Sequence, residues 1–267
     1  MSVWDAYKAR ADARGMTKRE TTLKREIRTI NDRLPDSLSY QTVTLYTGEY
    51  GYNIDSDDMK AHAITQNVAI INSDNLNEKT IISFPEEDIE NGSLVYWMDN
   101  YWLVAERDAN TTVYTRAKMI QCNHLLHWVS ADNEVIAQWC IVEDGTKYLT
   151  GEYEDRNFIV TRGDSRISVM LARNKETVRL DRRNRFIIDD VDSPRPLAYA
   201  LTKPLKLGGV YNKTGVFKFV LQEVATTVDD AIDDGIADYY QHFVDSSAEP
   251  QPDPQPVDDE GRKKVWL

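Results

Sequence analysis

The sequence predicts a mainly β protein: an antiparallel β-barrel followed by a smaller β-sandwich-like domain, with an N-terminal helical arm before them and an extended acidic C-terminal tail after them. Three observations lead there. From Ser39 onward, apolar residues alternate in short runs instead of recurring every three or four positions. Polar clusters such as "SDNLNE", "EDIENGS" and "SADNE" separate these runs at close spacing, the pattern of barrels and sandwiches. Both ends of the chain break the pattern, one towards helix and the other towards an acidic, proline-rich composition. The expected organisation is a basic helical arm over 1–35, a β-barrel domain over 36–158, a second β domain over 159–228 and an acidic Pro-rich tail over 229–267.

The arm is specified by local signals. Gly15 can end a first short helix, and "TKRE" (17–20) is a capping box with Thr17 at the N-cap and Glu20 three residues on. Leu23, Ile27, Ile30 and Leu34 come next at spacings of four, three and four, so they share one stripe, with Lys24, Arg25, Arg28 and Arg33 off it. Pro35 stops the helix. A helix of about seventeen residues with one narrow stripe is marginal alone in water and needs a partner surface. Its own domain is one candidate partner and another subunit is the other.

The first β set comprises "YQTVTLYTG", "HAITQNVAIIN", "KTIISF", "LVYWM", "YWLVAE", "TVYTRAKMIQCN", "LLHWVS" and "VIAQWCIV". The second comprises "RNFIVTR", "RISVMLAR", "TVRLDR", "RFIIDDV", "LAYALTK" and "VFKFVLQEV". Within the first, "LVYWMDNYWLVAE" (94–106) reads as a hairpin with Asp99-Asn100 at its tip, since Asp and Asn tolerate the positive φ of a two-residue turn. Its Trp and Tyr residues are good strand formers and cross-strand partners. The same residues could build a carbohydrate platform, but no acidic or amide constellation accompanies them. The tail carries prolines at 250, 252, 254 and 256 and too little apolar surface to fold alone, before ending in "VWL".

Bulk properties limit the function classes. A chain of 267 residues, 41% of them hydrophobic, can bury a sizeable core. A net charge of −12 opposes the phosphate contacts that dominate nucleic-acid affinity. The charge is segregated: residues 1–34 hold nine Lys/Arg against five Asp/Glu, and residues 226–267 hold three against eleven. Oppositely charged ends suit contacts between copies or with neighbouring proteins. Two cysteines, Cys122 and Cys140, fit a reducing compartment. No run is long and apolar enough for a membrane helix or a signal peptide, so a protein made and kept in the cytoplasm is expected.

Catalytic and metal motifs are weak. Cys122, His124, His127 and Cys140 are all possible zinc ligands, yet their spacing matches no common zinc motif. "GDS" (163–165) resembles a hydrolase nucleophile block, but the run after it is strand-like, and the one late pair, Asp238 and His242, is spaced four apart where three is required. "DSDD" (55–58) lacks the glycine and distal glutamate of a calcium loop and reads as a solvated turn. The expectation is a protein without catalysis, metal or cofactor.

Residues 92–128, "GSLVYWMDNYWLVAERDANTTVYTRAKMIQCNHLLHW", resemble a family of virion proteins of tailed phages infecting Gram-positive bacteria, in which a hairpin precedes an arginine-bearing strand, "CN", and then a Leu and a Trp. "ETVRLDRRNRFIIDD", "GVYNKTGVFKFVLQEV" and "DDGIADYY" are similar to the second half of that family, so the resemblance spans residues 40–240. It implies a head-closure (stopper) or related neck component: a β-barrel protein in a homo-oligomeric ring between portal-adaptor and tail, in a virion. Genomic DNA would pass nearby without specific binding, and no catalytic residue is implied. The alternative, from another class, is a carbohydrate- or receptor-binding β-protein of the virion. The expected contact residues are Leu23, Ile27, Ile30 and Leu34 on the helix, and Trp266 and Leu267 at the tail end.

Overall fold

A computed structural model of the chain describes residues 3–15, 17–47, 49–50, 53–54, 56–85, 87–108, 113–144, 166–188, 196–206, 210–211 and 214–243. Two helices open it, α1 (Val3–Arg14) and α2 (Lys18–Arg33). The capping box forms as the sequence requires: Glu20 N–H donates to Thr17 Oγ1, and Thr17 N–H donates to the Glu20 carboxylate, both at 3.2 Å. Gly15, at φ +97°, makes the left-handed step between the helices. Pro35 converts the end of α2 into a 3₁₀ turn, Leu34–Asp36.

Six strands then close a barrel: β1 (Tyr40–Tyr46), β2 (Ile64–Asn72), β3 (Glu78–Ser83), β4 (Leu94–Trp97), β5 (Asn100–Asp108) and β6 (Arg116–Gln121), ordered β1-β2-β3-β6-β5-β4. Closure removes every free edge. Alternate residues fill the interior, among them Val43, Val68, Ile81, Val95, Trp102, Val104 and Met119. "DSDD" is not a plain turn. Ser56 caps a short helix, α3 (Asp57–Ala61), by accepting from Asp58 N–H, and Met59 is buried beneath it.

The hairpin tip lies one residue earlier than expected. Trp97 pairs with Asn100, leaving Met98 and Asp99 as the two-residue turn at φ +48° and +58°. Both positive φ values match a type I′ turn. Asn100 keeps a strand position, and its Nδ2 donates to Met98 O at 2.6 Å. With this register Val95, Trp97, Trp102 and Val104 do share one face, turned into the barrel, while Leu94, Tyr101 and Leu103 face outward.

The second sheet contains β7 (His124–Val129), β8 (Val135–Asp144), β9 (Arg166–Ala172), β10 (Arg185–Ile188), β11 (Leu197–Leu205), β12 (Val210–Tyr211) and β13 (Thr214–Val224). Its order is β10-β11-β13-β9-β8-β7, with β12 on β13, and β7 and β10 approach one another to give a barrel-like curl around Leu126, Phe186, Leu201 and Phe219. Residues 124–144, expected in the barrel, therefore pair in this sheet. "TVRLDR" is not a strand. Asn174 Oδ1 accepts from the backbone N–H groups of Glu176 and Thr177, and this local bonding holds a buried turn that displaces the β-branched preference. "RNFIVTR" lies outside the described residues.

A third apolar cluster joins the two bodies. Leu94, Leu103 and Cys122 from the barrel pack with Ile141, Met170, Ala172 and Val216 of the second sheet, and Tyr101 stacks on Trp139 at 5.3 Å. At the crossing, the Asn123 amide acts as a strand residue: its Nδ2 donates to Val142 O, and its Oδ1 accepts from Val142 N–H, each at 2.8 Å. Backbone also meets backbone. Gly92 sits at φ +82°, and a Cβ there would stand 2.1 Å from Gly215 O.

Two substitutions check this account. Gly92→Ala is expected to destabilise by more than about 1 kcal/mol, because it adds a left-handed penalty to a clash with backbone that cannot give way. Met98→Asn is expected to stabilise by about 0.5–1 kcal/mol, since Asn accepts the φ that Met resists. Urea unfolding with unchanged m-values measures both.

Candidate interaction surfaces

The acidic run after Val228 begins as a folded cap instead of an extended tail. Ala231 and Ile236 form an isolated antiparallel bridge around a turn at Gly235, and a short helix, α4 (Tyr239–His242), comes after it. Ala231, Ile236, Tyr239 and Phe243 pack on Val129 and Val135 of the second sheet. The remaining tail residues, 244–267, including Trp266 and Leu267, lie outside the described residues.

One cation holds the cap. Arg185 on β10 pairs with Asp230 at 3.0 Å and with Asp238 at 2.6 Å, and donates to Ala225 O at 3.0 Å. The Asp230 side chain is fully buried. Burial alone would raise its pKa, but N–H donors from Asp238 and Thr227 together with Arg185 outweigh that and hold it below the usual carboxylate range. Asp238, whose spacing from His242 already failed the hydrolase pattern, is engaged by Arg185, and His242 lies 3.3 Å from Asn133 Oδ1.

Three clefts of about 400–500 Å³ flank the cap. The first contains Arg179, Arg183 and Arg185, each already paired with a carboxylate of this chain: Asp132, Asp181, and Asp230 with Asp238. Its walls are charge-compensated and offer little net attraction to an ionic ligand. The other two, beside β7, share His127 and Asp234; one adds Asn53 and Ser56, the other His124 and Asp233, each among apolar side chains. Cys122 and Cys140 are both buried, and burial pushes each thiol up, away from the thiolate that binds zinc or attacks carbonyls. Among the described residues, no group of three or more His, Cys, Asp and Glu is arranged to hold a metal ion. Ser165 lies outside the described residues. The hairpin tryptophans that a carbohydrate platform would need are turned into the barrel: Trp102 is buried and Trp97 packs against the same core.

The helices, by contrast, remain open. Leu23, Ile27, Ile30 and Leu34 are half-buried, almost every other α2 residue is exposed, and none of the four joins an apolar cluster of the β body. α2 packs against α1, where Lys24 Nζ donates to Ala13 O, and against the 3₁₀ turn. On α1, Trp4 stacks on Tyr7 at 5.8 Å, yet the two are 69% and 64% exposed. Exposed aromatics on α1 and a half-open apolar stripe on α2 are characteristic of an interaction surface. Sequence periodicity identified the α2 stripe. It did not identify Trp4 and Tyr7, although their i,i+3 spacing was available as a signal.

The Asp230 environment sets a pH dependence. Its depressed folded pKa means the stabilisation is complete above the unfolded value of about 3.9 and is lost as pH falls through the lower folded value. Below about pH 4 the cap is expected to loosen. Asp230→Asn should loosen it at neutral pH by about 2 kcal/mol, because charge-assisted bonds to Arg185 are lost. Hydrogen exchange at the Ala231 and Ile236 amides measures both effects, and unchanged protection in Asp230→Asn would refute the pinning role.

Among the described residues no helix is long and apolar enough to cross a membrane. Neither a curated protein nor a solved structure matches the chain significantly. Residues 20–121 match the family model of the YomX N-terminal domain, a phage-associated domain, and the matched span runs from the first turn of α2 to the last residue of β6, where the barrel closes.

Proposed function

We propose that this chain is a structural protein of a tailed-phage virion, serving in the neck as a head-closure (stopper) component of a ring between portal-adaptor and tail. The observation that carries this reading is the match of a phage-associated domain to α2 and the complete barrel. The resemblance of residues 92–128 to neck proteins of phages with Gram-positive hosts points the same way.

The physics of the chain suits the role. A closed barrel has no strand edges to promote uncontrolled pairing, so contacts with neighbours are left to chosen surfaces. A net charge of −12 supplies no general attraction for a duplex that must slide past. The partners in this reading are other copies of the chain and the portal-adaptor and tail proteins. The virion, assembled in the host cytoplasm, is the location.

Cryo-EM of intact particles tests the proposal. Density for the barrel and second sheet is expected in several symmetry-related copies between head and tail. Particles made without the chain are expected to lose DNA or fail to join tails. Its absence from purified particles, or density elsewhere in the virion, would overturn the neck assignment.

A further inference from the structure

We infer that the α1–α2 hairpin of one copy docks on the acidic cap of a second copy, head to tail. This deepens the ring reading and rests on it only for the place of assembly. The surfaces themselves are on this chain.

Among the described residues, two faces lack a partner. The first is the hairpin: the Leu23, Ile27, Ile30 and Leu34 stripe on α2, with Trp4 and Tyr7 exposed on α1. The second is the cap. Val228 is 93% exposed, Ile232 39% and Tyr240 49%, although the cap's other apolar residues are packed down on β7 and β8. Tyr240 N–H donates to Asp229 O, which brings the 228–229 and 240 positions side by side.

Charge selects the pairing. α2 carries six basic residues (Lys18, Arg19, Lys24, Arg25, Arg28 and Arg33) against three acidic ones. The described cap holds five aspartates and no Lys or Arg. Arg185 pairs with Asp230 and Asp238, and Asp233 and Asp234 stand exposed beside Ile232. A basic amphipathic helix and an acidic surface with exposed apolar side chains are complementary in both charge and apolar character. The alternative self-contact, α2 against α2 of another copy, sets net positive charge against net positive charge. Helix-on-cap contact uses different patches on the two copies, so it is heterologous, and it closes into a ring when the rotation per step permits.

Sedimentation velocity of the full chain tests this, with far-UV circular dichroism confirming that each variant is folded. The wild type is expected to self-associate at low salt and to weaken at least tenfold when ionic strength rises several-fold above about 0.1 M. Ile27→Asp on the exposed helix face and the double change Asp233→Lys/Asp234→Lys on the cap are each expected to be monomeric alone. Mixed one to one, the first supplies an intact cap and the second an intact helix, so they form a pair that stops at two. A wild type that stays monomeric at about millimolar concentration, variants that associate like wild type, or a mixture that stays monomeric or grows past two would each overturn the inference. If it fails while cryo-EM shows the chain in the neck, the functional reading stands without it. Self-association by a chain absent from particles keeps the docking and removes the neck assignment.

Discussion

The architecture depends on burying both faces of one hairpin. Between Leu94 and Ala105 the sequence offers almost no polar alternation, because neither face of β4–β5 meets water at its base. Val95, Trp102 and Val104 fill the barrel, and Leu94 and Leu103, fully or nearly fully buried, receive the second sheet. Each such side chain contributes about 1.5–3 kcal/mol of apolar burial. The hairpin therefore couples the stability of the two bodies: loosening its outward face exposes Met170 and Val216 as well as Leu94 and Leu103. The close approach of Gly92 to Gly215 and the peptide-like pairing of Asn123 with Val142 fix the angle at which the bodies meet.

Where signals were local, the sequence was legible. The arm, its cap at Thr17, its glycine step and its proline stop all come from residues within four positions of one another, and the structure reproduces them. The strands of the barrel were also readable, since period two survives wherever one face is inward. The misreadings came from competition. Asp and Asn both tolerate a left-handed φ, so "MDN" admits two tips, and cross-strand register selected the one that places Met98 in the unfavourable conformation. Thr177 and Val178 favour a strand, but the Asn174 side chain captures the Thr177 backbone first. Its acidity placed 229–243 with the tail, yet one arginine forty-five residues upstream of Asp230 supplies a counter-charge. "LDRRNR" gives no hint that Arg185 is the one used, because Arg183 is spent on its neighbour Asp181. Of the expected contact residues, Leu23, Ile27 and Ile30 on α2 and Leu34 at its C-cap are half-buried, and the two at the tail end fall outside the described residues.

Net charge and charge placement answer different questions in this chain. The total of −12 bears on solubility and on what the whole protein repels. Contacts closer than the Debye length of about 8 Å respond to local sign instead. The barrel arginines and lysines are largely consumed within the chain, as with Arg107 on Asp88 and Lys118 on Glu78. The basic residues of α2 are different. Arg28 meets Asp32 at 3.5 Å on a wet surface, a pairing worth well under about 1 kcal/mol, and six basic against three acidic residues leave the helix net positive.

That distinction bears on why the helix belongs with the barrel at all. The match to the YomX N-terminal domain begins at Glu20, inside α2, and ends at Gln121, the last residue of β6, although α2 makes no apolar cluster with the strands. A helix retained for the stability of its own domain would bury its stripe there, because a helix this short is marginal in water without tertiary packing. This one holds its capping box, orders its charges off the stripe and leaves the stripe half open. Local capping keeps the helix formed, and among the described residues no apolar cluster of the β body completes it. Such a surface gains its remaining stabilisation on association, when the stripe leaves water and the flanking cations find carboxylates.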